Sequence, residues 1–153
     1  MVLPYLHYCA EVWGNNYSSS LQSIIILQKR ALRVIHKASY LEHTNPLFIQ
    51  SKLLKFTDIV SYQTAITMYK AKNHLLPLNV QNLFRNREGG YNLRGESVFK
   101  TLSRRTTLRS FCVSIVGVKL WNSLGDEYKL CPSINRFKSM YKSMIFSSYI
   151  EDE

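Results

Sequence analysis

His7, Cys9 and Glu11 stand within five residues of one another, and imidazole, thiol and carboxylate are the groups that ligate metals or pass protons. Their spacing matches no metal site. No second ligand pair follows, because Cys112 and Cys131 are 19 positions apart and Pro132 and Ser133 come directly after Cys131. We expect His7 and Cys9 to be packing or surface positions in a helix ending near Gly14. His43 and His74 are isolated and take no role. Polymerases and nucleases that use two metals need several converging carboxylates. Asp58, Asp126 and Asp152 form no Asp-Asp pair, and no Tyr-x-Asp-Asp stretch occurs. Gly89-Gly90 lacks the lysine and helix of a phosphate-cradling loop. No catalytic residue, metal or cofactor is therefore assigned, and an independent enzyme ranks last among the readings.

The chemistry that remains is cationic. Lys29, Arg30, Arg33, His36 and Lys37 share an arc of about 120° on a helical wheel at 100° per residue. Leu21, Ile24, Ile25, Leu27, Ala31, Leu32, Val34, Ile35 and Ala38 take one half of that wheel, and Ile26 alone falls on the wrong side. A helix that buries one face and gathers cations on the other suits a phosphate backbone; the plainer reading is an amphipathic surface helix. A second basic group, Arg104, Arg105 and Arg109 around Thr106-Thr107, mixes guanidinium and hydroxyl donors. Arg85, Arg87 and Arg94 extend it through the glycine-containing stretch. Its plainer reading is a solvated charged loop.

These side chains need elements to hold them. The first clear one runs from about Ser20 to Ala38, opened by Ser18-Ser19-Ser20, any of which would serve as cap. Asn45-Pro46 marks a turn or helix start, and Leu47 to Leu54 a short helix. A second long helix is expected from Thr57, its cap, to about His74, with Ile59, Tyr62, Ile66 and Tyr69 at helical spacing and Pro77 just beyond its stop. Residues 86–95, with Glu88-Gly89-Gly90-Tyr91-Asn92, read as an exposed loop or small hairpin. Phe111, Val113 and Ile115 alternate with Cys112 and Ser114 as in a short strand, and Gly117 to Leu124 reads as a helical turn carrying Trp121. Ser133 caps a last helix whose stripe is Ile134, Phe137, Tyr141, Met144 and Ile145. The expected fold is mainly α: a helical segment over 1–85, then a short β or irregular stretch near residues 86–116 and a C-terminal helix, the 86–153 tail packing with the first part as one unit.

Composition bounds the partners. At 153 residues and 46% hydrophobic content the chain suits one compact domain. The net charge of +10 is concentrated: from Lys29 to Arg109, 15 Lys plus Arg face only Glu42, Asp58, Glu88 and Glu96, while residues 1–28 carry only Glu11. Such a field attracts polyanions, nucleic acid or an anionic membrane surface, or merely keeps the chain in solution. Three widely spaced cysteines offer no disulfide framework, which suits a reducing compartment. No apolar run approaches the roughly 20 residues of a membrane span, and Met1-Val2-Leu3-Pro4-Tyr5 shows no basic n-region followed by a long apolar stretch, so neither secretion nor a transmembrane helix is expected. The expected location is intracellular, nuclear or cytoplasmic.

An ordered series of short stretches adds to this reading. Pro4-Tyr5-Leu6-His7-Tyr8-Cys9, Val12-Trp13-Gly14-Asn15, Leu27-Gln28-Lys29-Arg30-Ala31, His43-Thr44-Asn45-Pro46-Leu47-Phe48 and Leu54-Lys55-Phe56 come first. Gly89-Gly90-Tyr91-Asn92-Leu93-Arg94, Arg105-Thr106-Thr107 and Leu120-Trp121-Asn122-Ser123-Leu124 follow. Together, from about Leu3 to Ile145, the series resembles the region after the palm of jockey-like non-LTR (LINE-type) retrotransposon reverse transcriptases. No single motif is decisive; their order is what is specific. The resemblance implies a parent polypeptide that copies RNA into DNA, its endonuclease and palm lying upstream, and a thumb-like segment and tail that grip primer-template. The family's catalytic aspartates have no matching positions here. Met1 falls where such a parent is mid-frame, so a relic reading frame is expected, with apolar surfaces left without their palm.

Three readings compete. The first is sequence-independent binding of RNA-DNA or DNA backbone through Lys29, Arg30, Arg33, Lys37, Arg104, Arg105 and Arg109, the missing palm being a further partner. The second is a non-functional or purely structural relic whose charge has no ligand. The third, weaker, is a basic amphipathic helix lying on anionic membrane.

Overall fold

The computed structural model describes residues 3–86, 99–103 and 105–151. Within them the chain is mainly α. Short helices α1 (Leu3–His7) and α2 (Ala10–Trp13) lead into the long α3 (Ser18–His36). Helix α4 (Asn45–Gln50) precedes α5 (Phe56–Lys72), and α6 (Leu78–Gln81) follows. The second half holds α7 (Thr107–Ser110), α8 (Val113–Ser123), α9 (Asp126–Lys129) and the long α10 (Ile134–Glu151).

Helix α5 is the axis of the fold. Nine of its 17 residues are buried, on more than one face: Phe56, Ile59, Val60, Thr64, Ala65, Ile66, Met68, Tyr69 and Ala71. A helix apolar most of the way round is a central one, and α1, α2, α3, α8 and α10 all pack on it. Helix α8 comes close because Gly117 faces Met68: a Cβ there would lie 2.8 Å from Met68 Sδ. Helix α10 contributes Phe137, Tyr141, Ile145 and Tyr149, all buried. The Phe137 ring stacks on Tyr69, centroids 4.8 Å apart, and lies 5.8 Å from both Trp121 and Tyr141. The Tyr69 hydroxyl donates to the Cys131 carbonyl at 2.9 Å. The tail therefore shares one aromatic core with α5.

Several boundaries differ from the sequence reading. Tyr17, not a serine, is the N-cap of α3; no side chain caps that helix, and the three serines sit inside its first turn. Helix α5 has its cap two residues early, at Lys55 rather than Thr57, and ends at Lys72 with Asn73 as C-cap. The short helix falls on Asn45–Gln50, with Pro46 in its first turn, instead of 47–54. The helix anticipated before Gly14 is two, because Cys9 adopts a left-handed φ of 49° between them. Pro77 begins α6 as its N-cap.

The strand assigned to 111–115 is helix. Phe111 ends α7 and Cys112 is the extended N-cap of α8, whose Ile115, Gly117, Val118 and Trp121 are buried. Five residues of alternation were outweighed by an 11-residue helical period that burial on α5 rewards. Among the described residues the sole strand-like feature is an antiparallel bridge between Asn86 and Phe99, beside which Lys100 N–H donates to the Arg85 carbonyl at 2.9 Å. The loop or hairpin expected over 86–95 otherwise lies outside the described residues.

Gly14 closes α2 against α5. A Cβ added there would stand 2.3 Å from Val60 Cγ2 and 2.5 Å from the Ala10 carbonyl oxygen. Gly14→Ala is therefore expected to cost about 1–3 kcal/mol, the usual range for overpacking. Gly125→Ala, whose Cβ would meet nothing nearer than 3.7 Å, should stay within about 0.5 kcal/mol. Urea denaturation of both variants checks this, and equal midpoints would remove the packing argument.

Candidate nucleic-acid interface

Helix α3 is held to the body by a side chain that the wheel places among apolar neighbours. Gln28 donates from Nε2 to the Leu54 carbonyl at 2.9 Å and accepts the Phe56 N–H on Oε1 at 2.8 Å, so one amide ties α3 to the start of α5. Leu32 is buried beside it, and Leu21, Ile24 and Ile25 pack on the core at its edge. The inward face is thus centred on Leu32 and Gln28, turned away from the centre of the expected apolar half. Leu27, Ala31, Val34 and Ile35 are exposed as a result.

That rotation divides the basic arc. Arg33 turns back onto the body and donates from Nε and Nη2 to the Glu42 carbonyl at 3.1 and 2.9 Å. The Glu42 carboxylate in turn accepts the Ser39 N–H at 3.1 Å. His36 Nε2 and Ser51 Oγ share a hydrogen bond of 2.6 Å. Lys29 is half-buried. Arg30 and Lys37 are exposed, Lys37 being the C-cap with a left-handed φ of 52°. So Arg30 and Lys37 are offered to solvent, whereas Arg33 and His36 brace the 39–51 connection. The double hydrogen bond of Arg33 left no mark in the sequence, because its acceptor is a backbone carbonyl.

Of the second basic group, Arg105 and Arg109 are exposed, and Arg104 lies outside the described residues, as do Arg87 and Arg94. Thr106 caps α7 by accepting the Arg109 N–H on Oγ1 at 3.3 Å, which still leaves its hydroxyl proton to donate. Tyr17 and Phe111 meet edge-on, ring centroids 4.9 Å apart, so α7 ends against the N-terminus of α3. Arg109 accordingly lies toward one end of α3 and Lys37 at the other. Nineteen residues at 1.5 Å per residue make that helix roughly 28 Å long, about eight base pairs of duplex. Between α2, α3 and α5, near the same end, lies an open hollow of about 270 Å³ lined by Asn15, Asn16, Thr57, Ser61 and Phe111 among others.

Among the described residues the one ion pair is Lys129 with Asp126, 3.7 Å apart on α9. None of Arg30, Lys37, Arg105 or Arg109 has an acidic partner there. Comparison with family models, curated proteins and solved structures finds no match. No group of three His, Cys, Asp or Glu among the described residues is placed to hold a metal ion. His7 sits at the α1–α5 contact, its Nδ1 3.1 Å from Gln63 Nε2, and burial, with the Lys142 ammonium second, lowers its pKa below the usual value. It is a packed histidine, apart from Cys9, which is exposed. None of the described helices is long and apolar enough to cross a membrane.

Proposed function

We propose that this chain is a non-catalytic segment of a retroelement RNA-directed DNA polymerase that holds nucleic-acid backbone without reading bases. The observation that carries the reading is the set of four exposed cations, Arg30, Lys37, Arg105 and Arg109, with no acidic partner among the described residues. Guanidinium and ammonium groups in that state neutralise phosphates and release counterions. Phosphate contacts position a protein without reading bases, so affinity should follow charge and salt rather than sequence. The ordered resemblance to the post-palm region of jockey-like reverse transcriptases supports the same ligand, a primer-template duplex.

Fluorescence anisotropy of a labelled RNA-DNA hybrid across a salt series tests it. Four phosphate contacts give a slope of log K against log salt near −3.6, so a fourfold rise in salt should weaken binding about a hundredfold. Arg30→Ala with Lys37→Ala should halve that slope. Arg33 is unsuited to the experiment because its loss also removes the Glu42 contact. Uniform affinity from low to high salt would overturn the reading. The exposed apolar residues of α3 favour a second one, a relic separated from its partner and without a ligand. A helical, folded chain with no saturable binding to any nucleic acid would support that instead.

A further inference from the structure

Helix α3 carries two apolar strips rather than one. The inner strip, through Leu21, Ile25 and Leu32, meets the core. The outer strip takes steps of four and three residues, Leu27, Ala31 and Val34, with Ile35 beside it. That is the seam spacing of paired helices. Leu27 is 61% exposed, Val34 78% and the adjoining Ile35 69%. Single exposed apolar residues are ordinary; a continuous strip along one helix marks a contact surface. On one flank stands Arg30, where paired helices exchange ion pairs, and seven residues on Lys37 adds a second exposed cation at the C-cap. Helix α3 contains no Asp or Glu at all.

We propose that the outer seam of α3 docks an amphipathic helix of another protein, one with an apolar stripe and a carboxylate-bearing flank. Large apolar side chains of that helix lie over Ala31, the small residue at the centre, and between Leu27 and Val34. Its carboxylates face Arg30 and Lys37. Charge decides among occupants. In an antiparallel pair of two copies, Arg30 and Lys37 would oppose the same cations. In a parallel pair they would face Gln28 and Ile35, which offer no carboxylate. A polynucleotide answers the cations and leaves the strip in water. This inference does not depend on the nucleic-acid reading, although both use Arg30 and Lys37.

The full chain is titrated against a fluorescein-labelled helical peptide with a leucine seam and glutamate flanks, and against its lysine-flanked counterpart. Sedimentation of the chain alone is measured in parallel. The glutamate peptide should saturate with at least tenfold preference over the lysine peptide. Leu27→Ser with Val34→Ser should weaken it at least tenfold while leaving the affinity for the RNA-DNA hybrid unchanged, since no charge is altered. Arg30→Ala with Lys37→Ala should abolish the preference between peptides. Equal affinity for both peptides, or no saturable binding by a chain whose circular dichroism is helical, would overturn the proposal. So would a concentration-dependent dimer lost in the double serine variant, which would make the occupant a second copy.

Discussion

Phe137→Ala is expected to destabilise the chain by about 3–5 kcal/mol, the range for truncating a fully buried phenylalanine. Phe137 is 0% exposed and touches the rings of Tyr69, Trp121 and Tyr141, so its removal opens a cavity where α5, α8 and α10 meet. Each kcal/mol lowers Tm by roughly 2–4 °C at this size, which puts the loss at roughly 6–20 °C. Phe137→Leu, which refills much of the space, should cost less than half as much. Thermal unfolding followed by circular dichroism checks both. A single shifted transition is expected, because 1–85 and the tail share this cluster. Two separate transitions would mean that the halves fold independently.

Tyr149→Phe should cost about 1.5–3 kcal/mol, the scale of a buried hydrogen bond to a charged group. The Tyr149 hydroxyl donates to the Asp58 carboxylate and accepts the Lys55 N–H at 3.0 Å, while the Lys55 ammonium lies 4.1 Å above the ring. Burial first, and then the bond to Asp58, raises the Tyr149 pKa well above the ordinary tyrosine value. Tyr141 is pushed up to about 12, by burial and then by the charges of Asp58 and Tyr128. In both the folded pKa exceeds the unfolded value of about 10. Their stabilisation is therefore complete below pH 10 and is lost as pH rises, through about 12 for Tyr141 and beyond it for Tyr149. The urea midpoint of the parent should fall between pH 9 and pH 12, and less steeply in Tyr149→Phe. A midpoint flat across that window would contradict the burial of these hydroxyls.

The C-terminal helix was the most legible part of the sequence. Ser133 does cap it, its Oγ accepting the Arg136 N–H at 3.3 Å, and Phe137, Tyr141 and Ile145 are its buried stripe. Tyr149 continues that stripe by one more step of four. Helix α3 was legible as a helix but not in rotation. Its apolar half is wide enough to hold two strips, and a wheel carries no information about which one meets the core. The contacts that decide are Gln28 with Leu54 and Phe56, 26 and 28 residues away, and no local pattern encodes them. The same ignorance of tertiary contact hid the carbonyl acceptor of Arg33 and so overstated the free cationic face. Around Phe111 the error was of period: three alternating apolar residues look like a strand until Val118 and Trp121 are placed on the same helical face.

The bond between Tyr149 and the Lys55 amide spans 94 positions, and the stacked pair of Phe137 and Tyr69 spans 68. Helical chains that fold in microseconds do so through neighbours in sequence. Here the axis helix is made before α10, which brings the rings that seal one side of it. At about 5–20 residues per second, a ribosome needs several seconds to go from Tyr69 to Phe137. Throughout that interval Tyr62 and Tyr69 lack the rings of Tyr141 and Phe137 that meet them. Any product ending before Ile134 lacks those rings altogether.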